Sequence, residues 1–238
     1  MSAIPLSDIR PLGATVGKKV LLAVTGLVMY GFVFVHMVGN LQLYAGPEKI
    51  NHYGELLQNA KPLLWTARIV LLAAVGIHIL LSLQLWLKNR AARPVKYSHQ
   101  DYQVATYASR TMILSGPIIG FFIVYHILHF TVGSVHPDFV KGDVFHNVVV
   151  GFQNPLVSGF YVLAMVCLGF HLYHGAYSLF QTLGLRGPTV EKKMKVVLTA
   201  ISMLIVIANI SFPLSVLAGI VKLPAVSAPA SASLAAGK

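Results

Sequence analysis

The chain has 238 residues, 56% of them hydrophobic and only 11% charged, and its mean hydropathy is +0.72. A soluble domain carries about 25% charged residues, so the composition excludes an ordinary soluble fold and describes one compact membrane-embedded bundle. The net charge of +11 comes from basic residues beside the apolar stretches. That is the pattern of positive-inside topology and not of nucleic-acid binding.

Charge-free runs mark five predicted spans, since a span needs about 20 apolar residues. Residues 1–18 read as a cytoplasmic N-terminal segment ending at the anchor Gly17-Lys18-Lys19. A first helix is expected near 19–40; it is too long for a signal-peptide core and lacks a small-residue cleavage site. A second is expected near 64–87, opened by Pro62, where a missing N–H is harmless. A third is expected near 111–133 and a fourth near 156–182, the latter after Pro155. A fifth is expected near 196–220. Pro117 and Pro213 fall inside spans and are expected to kink them. Tyr44, Trp65 and Trp86 fall near predicted interfaces, where amphipathic rings are favoured. The whole, residues 19–221, is expected to be one five-helix domain. The tail, 222–238, is Ala/Ser/Pro-rich and expected to be disordered.

Counting basic residues by side sets the orientation. Arg10, Lys18, Lys19, Lys88, Arg90, Arg93, Lys96, Arg110, Arg186, Lys192, Lys193 and Lys195 fall on one side. Lys49, Lys61, Arg68, Lys141, Lys222 and Lys238 fall on the other. The excess places the N-terminus in the cytoplasm and the C-terminus outside.

The first four spans also carry histidine: His36, His78, His126 with His129, and His171 with His174. No Asp or Glu lies in these stretches. Ionisable groups inside a bilayer are costly and usually face a functional interior. Imidazole without carboxylate suits the axial ligation of haem iron. The single cysteine, Cys167, allows neither an intrachain disulfide nor a cysteine-ligated iron–sulfur cluster. The chain has no Cys-x-x-Cys-His, so any haem is held non-covalently.

Helical rise converts position into depth. From the cytoplasmic end, His36 lies at about 26 Å, His126 at about 22 Å and His129 at about 27 Å. His78 lies at about 14 Å, His171 at about 16 Å and His174 at about 12 Å. Two layers about 10 Å apart result, each drawing imidazoles from two helices, as two bis-histidine haems require. Depth does not choose between His126 and His129, or between His171 and His174, because each pair is spaced i, i+3. A lone intramembrane histidine is often a hydrogen-bonded core residue. The alternative functional reading is a His-lined membrane metal or proton transporter without a redox cofactor. Such metal sites usually add carboxylates or further histidines.

At these residues the chain resembles a known family. It is similar to the di-haem cytochrome b membrane-anchor subunit of succinate dehydrogenase / fumarate reductase, the single-chain, five-helix type. The likeness runs from about residue 17 to 221. It rests on Gly17-Lys18-Lys19 with Thr25-Gly26-Leu27, on His36-Met37-Val38-Gly39-Asn40-Leu41, and on Gly46-Pro47-Glu48-Lys49-Ile50-Asn51. It continues in Ala108-Ser109-Arg110-Thr111, in Phe170-His171-Leu172-Tyr173-His174-Gly175 and in Gln181-Thr182-Leu183-Gly184.

The resemblance implies an all-α bundle holding two b haems in the cell inner (cytoplasmic) membrane. His36 and His126 would ligate the distal iron, and His78 and His171 the proximal one. His129 and His174 then become candidates to hydrogen-bond a carbonyl, a propionate or a quinone. The implied function is the anchor of a succinate:menaquinone oxidoreductase or a quinol:fumarate reductase. It would pass electrons between an iron–sulfur subunit and menaquinone. FAD and iron–sulfur clusters would belong to a flavoprotein and an iron–sulfur partner docked on the cytoplasmic face; no nucleic acid is implied. Glu55 is the quinone-site candidate, although its spacing from His36 departs from the family's, and it also reads as a solvated loop charge. Arg110 is expected to face a propionate, or to serve the positive-inside bias.

Overall fold

In a computed structural model, which describes residues 15–92, 107–184 and 187–224, every regular element is helical. The helices are α1 (Thr15–Asn40), α2 (Pro47–Asn59), α3 (Lys61–Ala91), α4 (Tyr107–Ile127), α5 (Val144–Gln153), α6 (Pro155–Thr182) and α7 (Pro188–Leu217). Among the described residues, five stretches are long and apolar enough to cross a membrane: Thr15–Ala45, Lys61–Ala91, Arg110–Val132, Pro155–Thr182 and Glu191–Leu217. They correspond to the five predicted spans, and the protein is a multi-pass membrane protein. The basic residues Arg10, Arg93, Lys96, Arg186 and Lys238, and the tail beyond residue 224, lie outside the described residues.

Local chemistry explains the helix ends. Asn154 caps α6 by accepting from the N–H of Leu156 (2.9 Å), and Pro155 takes the first helical position. Asp143 caps α5 by accepting from the N–H of His146 (2.9 Å). After α1, a 3₁₀ turn over Leu41–Ala45 leads to Gly46, whose φ of 96° with ψ of 173° suits only glycine. The chain then restarts as α2, with Pro47 and Glu48 in its first turn. Pro117 and Pro213 both lie inside helices. Beyond α4 the backbone widens into a π turn over Leu128–Val132.

The helices pack as α3 on α1, α1 on α6, and α6 on both α4 and α7. α1 and α3 run antiparallel, since Lys18 Nζ donates to Gln84 Oε1 (2.9 Å) and Lys88 Nζ to Thr15 Oγ1 (2.8 Å). Trp65 and Trp86 mark the two ends of α3, each beneath an arginine: Arg68 at 5.2 Å and Arg90 at 5.4 Å from the ring centre.

Two short helices, α2 and α5, were not expected from the sequence. They pack together at the end of the bundle where α1 finishes and α3 begins. Asn51 joins them: its Nδ2 donates to Asp143 Oδ1 (2.9 Å), and its Oδ1 accepts from the N–H of Phe145 (2.9 Å). The largest apolar cluster lies beneath this cap and includes Phe122, Phe145, Val149, Phe152, Tyr161 and Phe212. Side chains such as Leu72 (76% exposed) and Leu156 (84%) point outward from the bundle, as a lipid-facing surface requires.

Candidate functional site

The intramembrane histidines meet in two pairs. His36 on α1 faces His126 on α4, with ring centres 5.8 Å apart and planes at 87°. His78 on α3 faces His171 on α6, with centres 6.2 Å apart and planes at 54°. Of the alternatives that depth left open, His126 and His171 are the members that face a partner. Each pair joins two helices that stay apart. Few if any Cα atoms of α1 come within 8 Å of α4, or those of α3 of α6, while the other helix neighbours pack closely. Few residues of α3 or α4 are buried.

Two contacts measure the distance between the pairs. Thr25 on α1 touches His78 at 3.2 Å, and it precedes His36 by eleven residues, about 16 Å of helix. Tyr161 on α6 touches His126 at 3.4 Å, and it precedes His171 by ten residues, about 15 Å. The layers are therefore about 15 Å apart along the helices, more than the value of about 10 Å expected from span ends. The earlier value assumed that helix ends are level. The side-chain contacts compare depths directly.

The hydrogen bonds around His78 fix its tautomer. The single hydroxyl proton of Thr25 is directed at the carbonyls of Leu21 and Leu22, both at 3.0 Å. Its oxygen is left to accept from His78 Nδ1–H, so the lone pair of the neutral ring lies on Nε2. A metal-binding imidazole commonly donates its second N–H to a fixed acceptor in this way. His171 presents a buried Nδ1 with no partner among the described residues, a group that costs free energy until a ligand or donor meets it.

Among the described residues, no three of His, Cys, Asp or Glu converge on a possible metal site. Neither pair can complete a metal's coordination sphere from protein alone. Two imidazoles across a gap suit a metal whose remaining ligands come from a macrocycle. A metal bridging two imidazole nitrogens at about 2 Å each leaves the ring centres about 6 Å apart, in line with both pairs. The residues present thus fit two bis-histidine haems.

The remaining candidates lie elsewhere. His129 is fully buried (0% exposed) and packed against Tyr161 and His136. His174 is partly buried one turn beyond His171. Arg110 is exposed in the first turn of α4. Glu55 lies on α2, its exposed carboxylate 4.0 Å from His52 Nδ1, beside a cleft of about 510 Å³ lined by Glu48, Asn51 and Gln58. Thr25 and Tyr161 were given no role by the sequence reading. Depth counted from the span ends does not find them: it sets Thr25 about 5 Å from the level of His78, and Tyr161 about 9 Å from that of His126.

A family model described as the succinate dehydrogenase/fumarate reductase transmembrane subunit matches residues 87–208. The match runs from the end of α3 through α4, α5 and α6 into α7, and contains His126 and His171 but not His36 or His78. No curated protein and no solved structure matches the chain.

Proposed function

Because the chain belongs to the succinate dehydrogenase/fumarate reductase transmembrane subunit family, we propose that it is the cytochrome b anchor of a succinate:menaquinone oxidoreductase or a quinol:fumarate reductase. Members of this family work with catalytic partner subunits at a membrane, and the family is compatible with haem. The observation that carries the finer reading is the pairing of His36 with His126 and of His78 with His171 across helices that otherwise stay apart.

In this reading His36 and His126 hold the distal haem, and His78 and His171 the proximal one. Haem held by these histidines would supply one-electron chemistry. The chain positions the two ligand pairs on four helices about 15 Å apart in depth. Thr25 orients the His78 ring through Nδ1. Arg110 stands at the end of the bundle nearer the proximal pair, where an anionic propionate needs a cationic partner.

Lys18, Lys19, Lys88, Arg90, Arg110, Lys192, Lys193 and Lys195 concentrate positive charge at one end of the bundle. By the positive-inside bias this end faces the cytoplasm of an inner-membrane protein. The flavoprotein, with FAD, and the iron–sulfur subunit dock there. Menaquinone reacts within or beside this chain, with Glu55 as the candidate for its proton exchange. The dicarboxylate chemistry belongs to the partners.

The test is to isolate the complex from membranes and add succinate anaerobically. Sharp α and β bands of a reduced b-type haem, co-isolation of the two partners, and reoxidation by a menaquinone analogue are expected. A colourless chain that isolates alone would contradict the proposal.

A further inference from the structure

His126, near the end of α4, and the buried His129, in the π turn that follows, share one partner. Tyr161 Oη lies 3.4 Å from His126 Nδ1 and 3.0 Å from His129 Nδ1. A phenol has one proton, so it donates to one ring and accepts from the other. Two arrangements satisfy the Tyr161 hydroxyl and both Nδ1 atoms, and in either one His129 Nε2 is buried without a partner among the described residues. In the first, Tyr161 accepts from His126 Nδ1–H and donates to His129 Nδ1. His126 then carries its lone pair on Nε2, and His129 carries a proton there. In the second these roles reverse, and His129 offers the free Nε2.

The surroundings of His129 decide between them. A Cβ on Gly151 of α5 would lie 2.9 Å from His129 Cε1 and 3.0 Å from its Nε2. The ring is also packed against Phe130, at 4.1 Å between centres, and His136, at 5.0 Å. No macrocycle fits over that nitrogen. His126 instead faces His36 across the gap. The phenol is held in place by edge contacts with Phe122 (5.0 Å) and Phe152 (4.9 Å), and the residue is 5% exposed.

We propose that Tyr161 is a positioning residue for the distal iron ligand, accepting a hydrogen bond from His126 Nδ1 and donating one to His129 Nδ1. This rests on the reading of His36 and His126 as a haem pair. His129 acts through Tyr161: by accepting the phenol proton it keeps the oxygen lone pair turned toward His126. A hydrogen bond from the remote N–H of a ligating imidazole raises the basicity of the ligand. It favours the ferric state and lowers the midpoint potential of that haem. The proximal pair has a different device, the Thr25 hydroxyl beside His78. The two sites are therefore tuned independently.

The experiment uses the whole complex in three forms: Tyr161→Phe, His129→Phe and the double variant. Each keeps a ring for packing and removes a polar group. Two measurements are made, haem content by pyridine haemochrome and potentiometric titration resolving the two haems. The distal haem is identified as the one that His36→Ala removes. Tyr161→Phe is expected to retain two haems, raise the distal midpoint potential and leave the proximal one unchanged. His129→Phe is expected to shift the same potential by a smaller amount. The double variant should match Tyr161→Phe alone, because His129 acts only through the hydroxyl. Loss of the distal haem alone in Tyr161→Phe also supports the role, since only the hydroxyl is gone. Unchanged potentials with two haems bound, or equal shifts of both, overturn the inference and leave the two-haem reading standing. An unsubstituted complex without haem overturns the reading itself.

Discussion

His36 of α1 and His126 of α4 hold their imidazole rings 5.8 Å apart and nearly perpendicular, across a gap that their helix backbones do not close. The same relationship recurs about 15 Å deeper between His78 and His171, at 6.2 Å. In the proposed reading, a haem would lie between the two rings of each pair.

That arrangement separates the clustered histidines by function. His126→Ala and His171→Ala are each expected to remove one haem from the isolated complex. His129→Ala and His174→Ala are expected to retain both. Difference spectra and haem content per chain measure this. Loss of a haem from His129→Ala, with retention in His126→Ala, would reverse the assignment on α4.

Thr25→Val replaces the hydroxyl that accepts from His78 Nδ1 with a methyl of similar size. A buried donor left unsatisfied costs about 1–3 kcal/mol, and the ligand loses basicity. Both haems should remain bound, while the proximal midpoint potential rises and the distal one stays. Redox titration would contradict this if the proximal potential did not move.

The cap over the bundle depends on Asp143, which holds the first turn of α5 and the Asn51 side chain of α2 together. Asp143→Ala removes an N-cap and an inter-helix hydrogen bond. A loss of about 1–3 kcal/mol is expected, read as a lower Tm of the purified complex in detergent. Haem content at low temperature should be unchanged, because neither ligand pair touches this residue. An unaltered Tm would mean that α2 and α5 are held by apolar contact alone.

Depth also has an energetic consequence. The two histidine pairs are separated by about 15 Å, roughly half of a hydrocarbon core of about 30 Å. A charge moved between them crosses about half the membrane field, worth about 1 kcal/mol per 100 mV. If menaquinone reacts beside the distal pair, succinate-dependent turnover in sealed vesicles should change when an uncoupler collapses the membrane potential. The Glu55→Gln variant should keep both haems and alter that response. Indifference to the uncoupler in both forms would place no net charge movement between the pairs.

The sequence made the five spans legible because charge-free length is a physical requirement of a bilayer. The grouping of the histidines by span, α1 with α4 and α3 with α6, was legible because helical rise converts position into depth; which member of each i, i+3 pair meets the partner ring was not. Other features were hidden. α2 and α5 are too short and mixed to stand out as spans, although Pro47-Glu48 and Asp143 are helix-start signals. The choice between His126 and His129 depends on which way the helix face turns. At His129 the backbone is already in the π turn over Leu128–Val132, which has no sequence signature of its own and rotates the following side chains relative to an α-helix. The roles of Thr25 and Tyr161 were hidden because a hydroxyl gains meaning only from the ring it meets on another helix.

The most direct measurement is the amount of haem b bound per chain in the isolated complex, by pyridine haemochrome against quantitative protein analysis. Two ligand pairs predict two haems per chain, falling to one in His36→Ala and in His78→Ala and to none when both are replaced. A single haem in the unsubstituted complex, or none, would contradict the account.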